Sequence, residues 1–250
     1  EHSRRRRGCA PSVGHHWVHG AIVRNMDMPL DAGADAFTEA GFRARARSGL
    51  LAAPSPAIFD ARSGRALGPS DWDLTPEFRD DLAVMAPPRA AAVLVPIVLR
   101  NPLTVLLTQR SHNMSSHPGQ ISFPGGKVEP YDTSPVECAL REAREEIGLE
   151  ARYAEVLGFL DSYRTGTGFQ ISPVVAFVRP DFSLVLDRRE VLEAFEVPLA
   201  FLMDEANHQK HARAWRGRQR VFYAMPYEGR YIWGATAGML KNMHQRLFER

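Results

Sequence analysis

Two patterns of apolar and polar positions divide this chain. Ala90–Leu99 (AAAVLVPIVL) and Leu103–Thr108 (LTVLLT) are nearly unbroken apolar runs separated by Arg100-Asn101-Pro102, which predicts two buried strands joined by a turn. Further strands are predicted at Ala154–Leu160, Phe169–Val178, Ala212–Arg216, Val221–Tyr227 and Tyr231–Trp233. A helical period marks Ser134–Ile147, Pro198–Met203 and Ala235–Phe248, where Ala237, Leu240, Met243 and Leu247 recur along one face. Nearer the N-terminus, Asp35–Leu51 carries a modest helical signal, with Phe37, Ala40, Gly41, Ala44 and Leu50 or Leu51 on one side. Thr75-Pro76-Glu77 has the form of a helix start, and Phe78, Leu82 and Met85 continue it to Pro87-Pro88. Pro54, Pro56, Gly64, Gly68 and Pro69 mark loop between these two helices. Strands and helices are interspersed, so the fold class is α/β (α+β), with a mixed sheet beginning near Ala90.

The organisation that follows is a basic, disordered tail over 1–25, an N-terminal helical extension over 26–88, and a main domain over 89–250. Met26 and Met28 would each serve as a start, which would place the tail outside the natural chain. With 250 residues, 44% hydrophobic and 24% charged, the composition excludes disordered and collagen-like classes, and the length suffices for a core that needs no metal or disulfide. Cys9 and Cys138 stand in unlike contexts with no Cys-x-x-Cys spacing, which argues against a disulfide scaffold or a zinc finger and for a reducing, cytoplasmic setting. No apolar window is long enough to cross a membrane, so none is expected as a partner. The net charge of +2 is unevenly spread: Arg4, Arg5, Arg6, Arg7 and Arg24 precede residue 27 against Glu1 alone, leaving the rest mildly acidic. A nucleic-acid partner is therefore not expected.

Candidate chemistry lies in Gly125–Leu149, GGKVEPYDTSPVECALREAREEIGL. Ser134-Pro135-Val136-Glu137 is a capping box with Pro at the first helical position, and Gly148 supplies the stop. At about 100° per residue, Val136, Leu140, Ala143 and Ile147 form one stripe that should be buried. Glu142, Glu145 and Glu146 fall on the opposite face within an arc of about 100°. A plain solvated acidic face is one reading of that cluster. The other is a cation among the acids, because three like charges at these spacings repel and only Arg141 and Arg144 are close enough to offset them. Oxygen ligands on a rigid element, without clustered His or Cys, suit a hard ion such as Mg²⁺ or Mn²⁺. Cys138 falls on the acidic face and reads as an incidental small residue rather than a nucleophile.

Arg141-Glu142-Ala143-Arg144-Glu145-Glu146-Ile147-Gly148-Leu149 resembles the core of the Nudix box, whose pattern runs Gly, five residues, Glu, seven residues, then Arg-Glu-aliphatic-any-Glu-Glu-any-Gly-aliphatic. Here the box is one residue longer: Thr133 occupies the place of the first Glu, and Asp132 lies beside it. Upstream, Leu106-Leu107-Thr108-Gln109-Arg110-Ser111, then Gly119, then Phe123-Pro124-Gly125-Gly126 is similar to the signature that coenzyme A pyrophosphatases place before the box. Ser115 stands where that signature has an internal Arg. The resemblance spans about residues 89–250.

This resemblance implies a Nudix fold, a mixed β-sheet sandwiched between helices. It implies an enzyme that hydrolyses the diphosphate of a small-molecule nucleotide, with coenzyme A or its thioesters as substrate. Glu142, Glu145, Glu146 and the Gly126 carbonyl would hold Mg²⁺ or Mn²⁺, Arg141 would orient a ligand carboxylate beside Glu145 and Glu137, and Glu142 is favoured as base. Glu190, Glu193 and Glu196 are alternatives for that proton. Arg110 and Gly125 would contact the substrate, and a homodimer is compatible with the family. ADP-ribose or another nucleoside diphosphate derivative as substrate, or a non-catalytic nucleotide-sensing module, are the competing readings.

Overall fold

The computed structural model describes residues 35–54, 68–78, 88–114, 116–215 and 217–249. The predicted tail at 1–25, Ser115 and the continuation of the second helix through Leu82 and Met85 lie outside the described residues. Eleven strands and four α-helices are described. The centre is β1 (Arg89–Val98), which pairs in parallel with β7 (Phe169–Val178) along ten register positions. Its other edge carries β2 (Thr104–Arg110) and β4 (Gly125–Lys127), both antiparallel. Beyond them, β3 (Ile121–Ser122) and β8 (Val191–Pro198) pair with β2, while β5 (Ala154–Phe159) and β6 (Tyr163–Arg164) pair with β7. A separate antiparallel sheet joins β9 (Gln209–Trp215), β10 (Arg218–Tyr227) and β11 (Arg230–Trp233). The helices are α1 (Glu39–Gly49), α2 (Pro135–Ile147), α3 (Leu199–Met203) and α4 (Ala235–Leu247).

The unbroken apolar run of β1 has a simple cause: both faces of the strand are covered. Val93, Val95 and Ile97 pack with Phe42 and Ala46 of α1 and with Leu240, Met243 and Leu247 of α4. The alternate residues Ala92, Leu94 and Val98 pack with Cys138, Ala139, Ala143 and Ile147 of α2. The mixed sheet is thus sandwiched between α2 on one side and α1 with α4 on the other, as the expected fold class requires.

Four details differ from the sequence reading. In α1 the buried face is Phe42, Ala46 and Gly49, while Ala40 and Ala44 are exposed, because the Phe42 ring anchors the helix against Phe177 with centroids 5.6 Å apart. In the expected helical extension, residues 71–74 form turns and Ser70 bridges Arg164 in parallel. Gly125 and Gly126 belong to a strand rather than a loop. β8 was not anticipated, although Val191, Phe195 and Val197 alternate with more exposed residues and carry the period-2 signal of a half-buried strand.

Candidate active site

Helix α2 is set by its ends as the sequence predicts. Ser134 Oγ accepts from the Glu137 N–H at 3.1 Å, Pro135 opens the first turn, and Gly148 adopts φ 71°, with the Leu149 N–H reaching back to the Ala143 carbonyl. The Glu137 carboxylate accepts from the Thr133 N–H (2.7 Å) and hydroxyl (2.6 Å) instead of forming the expected ion pair with Arg141, which pairs with Asp132, Glu142 and Glu145.

The buried face of α2 is rotated from the predicted stripe. Cys138, Ala139, Ala143, Glu146 and Ile147 are buried, whereas Val136 and Leu140 are half-buried. The cause is β4, which lies along the Cys138–Glu142–Glu146 row: Cys138 Sγ is 3.5 Å from the Lys127 carbonyl, and the Gly125 N–H donates to Glu146 Oε2 at 3.2 Å. Cys138 therefore belongs to the core, not to an acidic solvent face, and burial pushes its thiol up to about 12. The three acids are graded rather than equivalent, their side chains being 59% exposed at Glu145, 16% at Glu142 and 6% at Glu146.

Arg141 is the cation among them. One of its nitrogens donates to Glu142 Oε1 (2.8 Å) and Glu145 Oε2 (2.9 Å), and the rest of the guanidinium grips Asp132 through two 2.9 Å bonds. Asp132, beside the altered first position of the box, thus fixes Arg141, and that guanidinium holds its carboxyl down to about 2. A planar fork sharing three carboxylates prescribes the Glu142 rotamer, which the side chain's own torsional freedom would not.

Gly126 faces Glu142 so closely that a β-carbon there would lie 2.4–2.6 Å from the carboxylate atoms. Glu146 is buried beside it, with the Gly125 N–H its only hydrogen-bond donor among the described residues, and Arg110 Nη1 stands 4.0 Å away. Burial is the main cause that lifts the Glu146 carboxyl to about 8, with Glu142 and Glu190 adding repulsion. Burial also raises Glu142, opposed by Arg141. Of the three later glutamates, Glu193 pairs with Arg230, and Glu196 pairs with Arg100 and the Thr104 hydroxyl. Glu190 adds its repulsion to both buried acids.

A cavity of about 390 Å³ opens against this edge. Arg110, Gly125, Gly126 and Lys127 line it next to the acids, and Phe169, Ile171 and Trp233 line it further on. The structure therefore brings the predicted substrate contacts Arg110 and Gly125 together with Glu142 and Glu146. The residues fit a hard divalent cation: the donors are all oxygen, the thiol nearby stays protonated, and the glycine at 126 leaves a cradle that any side chain would fill. Among the described residues, three potential ligand atoms lie within 4.8 Å of one another only at Glu205, His244 and Glu249, and there the Lys241 ammonium already bonds both glutamates at 2.9 and 2.6 Å.

Residues 88–219 match the NUDIX domain family. The chain belongs to this family and is a Nudix hydrolase, of the class that cleaves pyrophosphate bonds in nucleotide derivatives. Among named relatives, it is 37% identical over 155 residues to an uncharacterized Nudix hydrolase NudL of Enterobacter sp., covering 62% of this chain and 81% of that one. To the NudL of Escherichia coli K12 it is 39% identical over the same shares of both chains. A solved structure of an Ap4A hydrolase from C. elegans covers 44% of this chain and 80% of its own at 21% identity, with a TM-score of 0.39. Among the described residues, no helix is long and apolar enough to cross a membrane.

Proposed function

We propose that this Nudix hydrolase cleaves the diphosphate of coenzyme A or its thioesters, using Mg²⁺ or Mn²⁺. One water is added across the P–O–P bridge, giving adenosine 3′,5′-bisphosphate and 4′-phosphopantetheine, the latter acylated when a thioester is cut. The observation that carries the reaction class is the pair Glu142 and Glu146, two carboxylates raised by burial that abut Gly126, Gly125 and Arg110, residues that line the cavity. The substrate rests on the Leu106–Gly126 signature.

Glu142, Glu145, Glu146 and the Gly126 carbonyl would hold the ion. When bound, such an ion neutralises phosphate oxygens and makes hydroxide available near neutral pH. Arg141 keeps Glu142 in place from behind, tied in turn to Asp132. Arg110, at the end of β2, directs a positive charge at the cavity, where it meets the phosphates, and the backbone at Gly125 allows them close approach. Glu190, an exposed carboxylate whose charge repels both buried acids, supports a reading in which it accepts the proton of the attacking water, with Glu142 oriented as ligand rather than base.

The test is to incubate the protein with Mg²⁺ or Mn²⁺ and, separately, coenzyme A, ADP-ribose and nucleoside triphosphates, and to identify the products. Coenzyme A should turn over fastest. Faster turnover of ADP-ribose or a triphosphate overturns the substrate, and binding without turnover of any overturns the reaction.

A further inference from the structure

Residues 68–78 precede the stretch that matches the family, yet they build one wall of the cavity. The Asp71 N–H donates to the Arg164 carbonyl and the Arg164 N–H to the Pro69 carbonyl, each at 3.0 Å, so Ser70 forms a single parallel bridge beside β6. The Asp71 carboxylate then gathers three donors from other parts of the chain: the Gly166 N–H (2.7 Å), the Tyr163 hydroxyl (3.1 Å) and Arg220 Nη2 (3.0 Å). It pins the segment to the β6–β7 turn and to β10. Trp72, next in sequence, packs its ring on that turn, since a β-carbon on Gly166 would lie 3.4 Å from Cζ2.

The position of this wall follows from strand register. Lys127, Ala91 and Ile171 stand side by side across β4, β1 and β7 and all line the cavity, Tyr163 of β6 pairs with Ile171, and Ser70 lies beyond at Arg164. At about 4.8 Å per strand, the wall is roughly 15–20 Å across the sheet from β4 and the acids. A substrate whose diphosphate meets Arg110 must extend its other half toward Trp72. Among the residues that line the cavity at that end, the charges cancel in the Asp71–Arg220 pair beside Phe169, Ile171, Thr165 and Thr167, while Arg89 lies over the Phe169 ring and donates to the Thr167 carbonyl outside the lining. Such a lining suits an uncharged, partly apolar arm better than a further phosphate.

We infer that Asp71 and Trp72 form a specificity wall that selects the uncharged arm of the diphosphate substrate, which on the reading above is the pantetheine arm. Trp72 is a specificity residue and Asp71 a positioning residue acting through the β6–β7 turn. This inference rests on the proposed function for the name of the arm, but its test does not depend on turnover.

Calorimetry on the full chain with each half of the substrate separates the two ends. Trp72→Ala should raise the Kd of 4′-phosphopantetheine by about tenfold or more and leave that of adenosine 3′,5′-bisphosphate within about twofold, with Trp72→Phe restoring most of the loss. Asp71→Asn should act in the same direction. Equal changes in both constants, no change in either, or no binding of 4′-phosphopantetheine to the unaltered protein overturns the wall. Should Trp72→Ala lack a cooperative unfolding transition, Trp72→Leu decides by the same pair of constants. Hydrolysis of coenzyme A by the unaltered protein, measured alongside, judges the reaction by itself.

Discussion

Gly126 and Glu142 occupy each other's space: a β-carbon on the glycine would meet the carboxylate carbon of the glutamate at 2.4 Å. A strand of the sheet and a glutamate of α2 approach closely only because position 126 has no side chain. Gly126→Ala should therefore displace Glu142 while sparing the core, because the obstructing atoms end a side chain rather than belong to the backbone. We expect Mn²⁺ affinity or turnover to fall by about 10–100-fold with a Tm near that of the unaltered protein. Isothermal titration and a thermal scan check both, and unchanged Mn²⁺ affinity would remove Glu142 from the ligand set.

Arg141 and Asp132 should behave as one unit. Arg141→Gln frees Glu142 and Glu145 together, and Asp132→Asn loosens the guanidinium that holds them, so each should lower kcat by roughly tenfold or more. Because the two residues share an ion pair, the double variant should lose less than the product of the single losses. Strict additivity in a double-mutant cycle would show that Asp132 acts elsewhere.

Glu146 gives a dependence on pH with a definite sign. Its carboxyl ionises near the ordinary 4.5 in the unfolded chain and at about 8 in the fold. Between those values the native state alone keeps the proton, so this group's contribution to stability declines as pH rises. In metal-free buffer, Glu146→Gln should gain in Tm over the unaltered protein as pH goes from 5 to 8, and should also lower turnover by about a hundredfold. A Tm difference that stays constant over that range contradicts the buried, protonated carboxyl.

Glu190 and Glu193 allow a direct comparison. Glu190→Gln should reduce kcat by about 10²-fold or more if it takes the proton of water, whereas Glu193→Gln only releases Arg230 and should leave kcat within about twofold. Steady-state rates across pH distinguish them, and equal effects would return the role of base to Glu142.

The face of α1 predicts a cost in stability. Phe42 is fully buried between the helix and Phe177, so Phe42→Ala should destabilise by about 3–5 kcal/mol, read from urea midpoints. Ala44→Ser, on the exposed face, should be nearly neutral.

The helix that bears the acids was legible from residues alone, because caps, Pro135 and Gly148 act within a few positions of the helix they bound. The same holds for the apolar runs of β1, β2 and β7, whose burial on both faces leaves a continuous hydrophobic signal. Which acid is buried was not legible. The rotation of α2 is decided by β4, whose two glycines look like a turn until β1 pairs with them, and only then does Glu146 face inward and Cys138 join the core. The partner of Arg141 was equally hidden, since Asp132 reaches it across the bend before the helix rather than along the helix surface. β8 was not legible because its glutamates are matched by Arg100 of the β1–β2 connection and Arg230 of β11, and Trp72 reaches the cavity through a bridge to Arg164 far along the chain. Local chemistry thus determined the elements and the residue types of the site. Contacts between segments distant in sequence decided the protonation, orientation and enclosure of those residues, because desolvation and ion pairing depend on what the fold places beside a group.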